Sequence, residues 1–318
     1  MSEDKSLIQV QDIFGIKEPL VKLIEVVERA GIALFKPWQI KREGNAWAES
    51  IKAISPVVRE NIDLPIKYEN GKITIDTTSS EDLESRAFIR LRNKEIKRQK
   101  NIESIVGESA NILLLEDQVS DEKLNDDWIS RFFNYAQDVS EAQMQKLWSQ
   151  ILSGEVKRPN TYSMRTLEVL KNLDKEVADD FVKISEYVFG GEYIPSVFPD
   201  DISENVFVDY STILKLGEAG LIISSGAANI FESDQGFVYG NYFVEIKKDN
   251  ESNITFLQFP LTKAGRELYT LITPIGAIDF LKSWASKLMK QNHKISYAKI
   301  LSRTESGKIE KELPSQDI

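Results

Sequence analysis

The stretch that decides the fold is DWISRFFNYAQDVSEAQMQKLWSQILSGEVKRPNTYSMRTLEVLKNLDKEVADDFVKISEYV, Asp127–Val188. Within it Trp128, Phe132, Phe133, Met144, Leu147, Trp148, Ile151 and Leu152 recur at spacings of three and four, the period at which a helix turns one face to a core. Ser140, Ser163 and Asp174 stand where helix N-caps belong, and Gly154 where the helix begun at Ser140 would stop. The block reads as a run of short capped helices, and its large side chains as core.

Upstream, the acidic piece Glu116–Asp127 reads as a solvated linker leading into a helix N-terminus, where carboxylates suit the dipole. Before it, Ser80 and Glu81 open a long basic helix expected to reach about Val106. Ile66–Tyr68 and Lys72–Asp76 flank Glu69-Asn70-Gly71, a hairpin signal because both turn residues adopt positive φ readily. Nearer the start, Pro19 is followed by LVKLIEVVERAGIALF, which places Leu20, Leu23, Ile24, Val27, Ile32 and Phe35 on one helical stripe. The chain then breaks at Lys36-Pro37 and restarts at Trp38 as a second helix, ended by Pro56.

Downstream, the texture changes from Tyr193. A helix over Val208–Leu216 runs into Gly217-Glu218-Ala219-Gly220-Leu221, and strand-like runs follow at Phe237–Lys247 and Ile254–Pro260. The segment closes with LTKAGRELYTLI from Leu261. A helix ending in a glycine turn, a β-wing and a closing helix resemble a winged helix-turn-helix.

The chain has 318 residues, enough for two or three packed units, and its 42% apolar and 28% charged content is that of a globular protein. It contains no cysteine, which excludes disulfides, thiolate metal sites and cysteine nucleophiles, and one histidine, His293, which excludes a His-pair metal site. His293 sits in the polar stretch KQNHKIS and reads as a surface residue. The opening MSEDKSLIQVQDIFG is too polar for a signal peptide, and the apolar run Ala30–Phe35 is far too short to span a bilayer. The expected location is the cytoplasm, with peripheral membrane contact as an alternative.

No P-loop, GxSxG elbow, HExxH or GxGxxG occurs, and DEKLNDD at 121–127 lacks the glycine and closing glutamate of an EF-hand. No catalytic residue, metal ligand or cofactor is therefore assigned. One weak enzymatic alternative is a Mg²⁺-dependent nuclease, in which Asp234 and Glu245 hold the ion and Lys247 polarises water. A solvated hairpin explains the same residues.

The net charge of −10 opposes general nucleic-acid binding. Bases are nevertheless concentrated in two segments. Arg86, Arg90, Lys94, Lys97 and Arg98 lie at helical intervals on the long basic helix, and Lys282, Lys287 and Lys290 open a second strip near the C-terminus. Such strips track phosphates, or face an acidic partner. The presumed recognition segment FVDYSTILKLGEAG carries Lys215 as its one base, a composition suited to packing more than to reading base edges. The N-terminal stripe offers a further surface. Leu20, Leu23, Ile24, Val27, Phe35 and Trp38 would serve as a self-association arm, or lie on an anionic membrane with Lys41 and Arg42.

Four segments together carry a family resemblance: FGIKEPLVKLIE…LFKPWQIKRE, RQKNIESI, the block W-x₂-ILSGE-x₃-P-x₂-YS-x-RTL-x₂-L from Trp148, and LTKAGRELYTLI. They are similar to a bacterial family known as domain of unknown function 2806, over about Phe14–Ile272. The opening segment also resembles that of the Abi-alpha abortive-infection proteins over about forty residues. The family implies no activity and no site residues; the Abi-alpha likeness implies phage defence as a setting.

The expected fold is mainly α, α+β overall. The expected divisions are a helical arm over 1–60, a hairpin and linker over 61–80, a helical middle domain over 81–190, a winged-helix-like domain over 191–273, and a basic helix with a tail over 274–318. The expected function is that of a non-enzymatic interaction or regulatory protein that self-associates and recognises a protein partner. Nucleic-acid binding and peripheral membrane association are the alternatives.

Overall fold

The computed structural model describes residues 17–32, 66–69, 72–75, 83–196, 209–247, 253–289, 294–303, 309–313 and 315–318. Phe35, Trp38, Lys290, His293 and the helix expected after Lys36-Pro37 lie outside them. The chain divides into two compact units, Met1–Pro159 and Asn160–Ile318. That division falls inside the stretch 81–190 expected to form a single helical domain.

In the first unit, helix α1 spans Glu18–Arg29, with Pro19 in its first turn and Glu18 and Arg29 at the dipole ends that suit their charges. Strands β1 (Ile66–Glu69) and β2 (Lys72–Ile75) pair antiparallel as the Asn-Gly turn predicts. Helix α2 runs from Leu83 to Leu113 and so continues past Val106. It passes through Gly107 because burial of Ile102, Ile105, Val106, Ser109 and Leu113 outweighs the roughly 1 kcal/mol helix penalty of one glycine. Helix α3 (Asp126–Ala136) is capped by Asn125, whose side chain accepts from the Trp128 N–H. Helix α4 (Ala142–Lys157) is capped by Glu141, which accepts from the Met144 N–H. Ser140, expected in that role, instead accepts a hydrogen bond from the Asn101 amide at 3.1 Å. Nor does Gly154 end α4. The helix stops three residues on, where Arg158 is extended and precedes Pro159, a position hostile to helical backbone.

These helices share one core. Phe132 stacks on Trp128 at 5.1 Å between centroids and meets Trp148 edge-on at 5.2 Å. Leu147 is half-buried, and the other large side chains singled out in this block are buried. Helices α2 and α4 approach closely at two small residues, where the buried Ser109 hydroxyl donates to the Ser149 carbonyl at 3.1 Å.

The second unit opens with α5 (Met164–Lys171) and α6 (Lys175–Ile184), the latter capped by Asp174 through the Val177 N–H. Ser163 precedes α5 but makes no side-chain cap bond. Its backbone N–H and hydroxyl both donate to Glu267, as does Thr166 at 2.5 Å. Then come β3 (Tyr193–Pro195), α7 (Tyr210–Glu218), β4 (Ala227–Phe231), β5 (Gln235–Tyr239), β6 (Tyr242–Lys247) and β7 (Ile254–Pro260). Helix α8 (Lys263–Tyr269) carries Glu267, and α9 (Ile278–Met289) precedes β8 (Lys294–Arg303), β9 (Ile309–Lys311) and β10 (Gln316–Asp317). The run read as one strand over Phe237–Lys247 is a hairpin, turned at Gly240 with φ 53°. A Cβ there would lie 2.1 Å from the Ile275 carbonyl oxygen, so only glycine fits. The C-terminal stretch expected to be a tail holds strands: KISYAKILSR pairs antiparallel with β6 and with β9.

Both sheets of this unit are antiparallel. One has the order β10-β8-β6-β5 with β9 on β8; the other has the order β3-β7-β4. Phe189 sits in the core beside the first sheet, its ring 4.9 Å from Phe237, 4.7 Å from Tyr239 and 4.8 Å from Trp284 of α9. Among the described residues the protein is thus a mixed α+β fold.

Candidate interaction surfaces

The N-terminal helix is present where the sequence places it, but its apolar stripe is engaged. Leu23, Val26 and Val27 are buried in the core of the first unit, and Leu20 and Ile24 are half-buried. Its bases are engaged too. Lys17 donates to the Leu114 carbonyl at 3.0 Å and pairs with Asp117 at 3.2 Å. Lys22 donates to the carbonyls of Ser120 and Glu122, and burial pushes its pKa down. Arg29 reaches the Leu124 carbonyl at 2.8 Å and the Asp126 carboxylate at 3.0 Å. The acidic linker is therefore the seat of α1, and α1 is a core element, not a free arm. Burying a residue such as Leu23 contributes about 2 kcal/mol, far more than these largely exposed ion pairs.

The basic helix α2 is two surfaces end to end. From Asn101 onward one face is buried; before it the side chains are largely exposed. The junction is Arg98, whose guanidinium donates to both carboxylate oxygens of Asp138, at 2.7 and 2.9 Å, and to Glu95 at 3.2 Å. That hydrogen bond holds the Asp138 carboxyl below its ordinary range. Arg98 is thus tied to the fold and drops out of the expected phosphate strip. Arg86, Arg90, Lys94 and Lys97 are exposed, and among the described residues no hydrogen bond or ion pair holds Arg90, Lys94 or Lys97.

In the second unit α7 is the helix that the sequence offers as the recognition segment. Its base Lys215 is engaged, bonded to Glu176 at 2.7 Å and Asp180 at 2.8 Å, both on α6. These hydrogen bonds raise the lysine pKa and lower that of Asp180. The residues that α7 presents to solvent include Tyr210 and Leu214, 56% and 42% exposed, with Ser211 and Glu218. Behind it, the two glycine-bearing motifs of the sequence meet. The Thr262 hydroxyl donates to the Gly220 carbonyl at 2.6 Å, and a Cβ on Gly265 would lie 2.1 Å from the Leu221 carbonyl oxygen.

The C-terminal bases do not share one helix. Lys282 is exposed on α9 and Lys287 lies on the same helix, whereas Lys294 and Lys299 lie on β8. The nuclease residues are distributed over a hairpin. Glu245 on β6 pairs with Lys311 at 2.5 Å, and Lys311 lies over the Phe243 ring. Among the described residues no group of three or more His, Cys, Asp or Glu is placed to hold a metal ion. None of their helices is long and apolar enough to cross a membrane.

What the geometry defines, among the described residues, is a mixed α+β protein. Residues 85–191 match the family described as a protein of unknown function, DUF2806, about a third of the chain. The match begins in the exposed half of α2 and ends just before β3, so it includes α3 to α6. No curated protein and no solved structure matches the chain.

Proposed function

We propose that the protein is a non-enzymatic interaction protein whose second unit is winged-helix-like and recognises another protein. Three features support the winged-helix reading. Helix α6 precedes β3, α7 lies between β3 and β4, and the small sheet has the order first, third, second strand that such domains adopt. Among the described residues α7 is the one helix between β3 and β4, and the β5–β6 hairpin is inserted where a single wing turn would join β4 to β7.

The observation that carries the protein-binding reading is the state of α7. A helix that enters a DNA groove presents bases and amides to phosphates and base edges. Here Lys215 is bound by two carboxylates, and the outward side chains include Tyr210 and Leu214, large side chains of the kind that anchors protein contacts. The test is isolation of the tagged protein from its native cells with and without nuclease, repeated with Leu214→Glu. A stoichiometric protein that survives nuclease and is lost with Leu214→Glu is the expected result. Recovery of nucleic acid alone, unaffected by that substitution, would remove the reading.

A further inference from the structure

We propose that the exposed half of α2, Leu83 to Lys100, is a second docking surface, and that its occupant is an acidic amphipathic helix of a partner protein. This rests on the interaction reading above but uses residues remote in sequence from α7.

Two rows run side by side along this half-helix. Leu83, Ala87 and Leu91 succeed one another at four-residue steps, with Phe88 beside them; Leu83 is 70% exposed, Leu91 56% and Phe88 37%. One residue back in each turn are Arg86 and Arg90, continued by Lys94 and Lys97. Residues three and four apart are neighbours on a helix, so each row is a continuous strip. Exposed leucine and phenylalanine in consecutive turns form a patch, unlike apolar residues scattered singly over a surface.

The occupant follows from continuity and charge. Extended in the same three- and four-residue steps, the apolar row passes Glu95 and Arg98 and becomes Ile102, Ile105 and Ser109. Those three residues are buried, and Ser109 is bonded to Ser149 of helix α4, the element packed most extensively on α2. The upper row thus prolongs a seam whose lower part already packs a helix, and the ridges and grooves that receive one helix receive another. The base row beside it selects acidic flanks on that helix. A second copy docked on itself through this row would set Arg90 and Lys94 against their own counterparts. Phosphodiester backbone would satisfy the bases but leave Leu91 and Phe88 in water.

The test uses the full chain and a defined probe: a synthetic amphipathic helix with leucine on one face and glutamate on its flanks, beside the same helix with lysine flanks. Duplex DNA and anionic vesicles are run in parallel. The glutamate helix should bind and the lysine helix should not. The pair Phe88→Ser and Leu91→Ser should weaken binding by about tenfold or more, as should Arg90→Glu with Lys94→Glu. Both sets alter exposed side chains, and an unchanged thermal transition shows the loss to be one of contact. Leu214→Glu should leave peptide binding intact, so a failure here and a failure at α7 are separately visible. The proposal is overturned if the glutamate helix does not bind, or if its binding ignores the serine pair. It is equally overturned if DNA or vesicles bind through this strip independently of Phe88 and Leu91, or if the protein alone forms a dimer that the serine pair dissociates.

Discussion

Two amphipathic helical segments in the first unit look alike in sequence and behave differently in the fold. Over Lys17–Arg29 Leu23, Val26 and Val27 are buried, and Lys17, Lys22 and Arg29 are each held by the chain segment between α2 and α3. Over Leu83–Lys100 the apolar residues and most of the bases face solvent. Amphipathicity states that a helix has a face to cover; it does not state whether the chain itself covers it. In the first case 114–126 supplies carbonyls and carboxylates at the right places, and the cores of α2, α3 and α4 supply the apolar surface. In the second, the turn at Arg98 is held by Asp138.

The contrast is broken or upheld most sharply by truncating one leucine on each segment. Leu23→Ala should lower the stability of the first unit by about 3 kcal/mol, since it removes a fully packed side chain and leaves a cavity. Leu91→Ala should change stability by less than about 0.5 kcal/mol. Urea titration of both variants measures the difference, and equal costs would mean that the two faces are packed alike. A smaller effect separates the bases. Arg29→Ala should cost about 1 kcal/mol through loss of its bonds to the Leu124 carbonyl and Asp126, whereas Arg90→Ala should be neutral within error in the same titration.

Much of this was legible in the sequence, for identifiable reasons. The aromatic period over Trp128–Leu152 places the core, the Asn-Gly turn places β1 and β2, and Asp174 caps the helix it precedes. These signals are local. What escaped is settled by residues distant in sequence. Ser163 stands at the N-cap of α5, but its hydroxyl is drawn away to Glu267, a hundred residues on, and makes no cap bond. Glu141 rather than Ser140 caps α4, because the Ser140 hydroxyl is taken by Asn101. Helix ends were misplaced at Val106 and Gly154, where burial overrides the glycine signal. The strand β8 was hidden by its charge: Lys294 and Lys299 are strand residues, paired with Lys247 and Tyr242 of β6.

The candidate surfaces show the same division. Arg86, Arg90, Lys94 and Lys97 were readable as an exposed row because helical spacing alone aligns them. That Arg98 would leave the row, that Lys215 would be bound by Glu176 and Asp180, and that α1 would be seated on acidic residues all depend on tertiary partners. A base in a sequence advertises charge; whether that charge is available is a property of the fold.

The smallest expected effect tests the junction between the two halves of α2. Arg98→Ala removes the hydrogen bonds that hold the Asp138 carboxyl below its ordinary value of 3.8. A carboxylate with a depressed folded pKa stabilises the fold fully above its unfolded value, and that contribution is lost as pH falls through the folded one. With Asp138 more than half exposed, solvent screening limits the contribution to about 0.5 kcal/mol at neutral pH. The difference between wild type and Arg98→Ala should therefore be present at pH about 7 and shrink on acidification below pH about 4. Amide exchange adds the structural half of the test. Protection over Leu83–Lys100 should fall in the variant while that of Ile102–Leu113, anchored by burial, stays unchanged. Were the pH dependence absent and the exposed half equally protected, the Arg98–Asp138 pair would not be what divides the packed half of α2 from the exposed one.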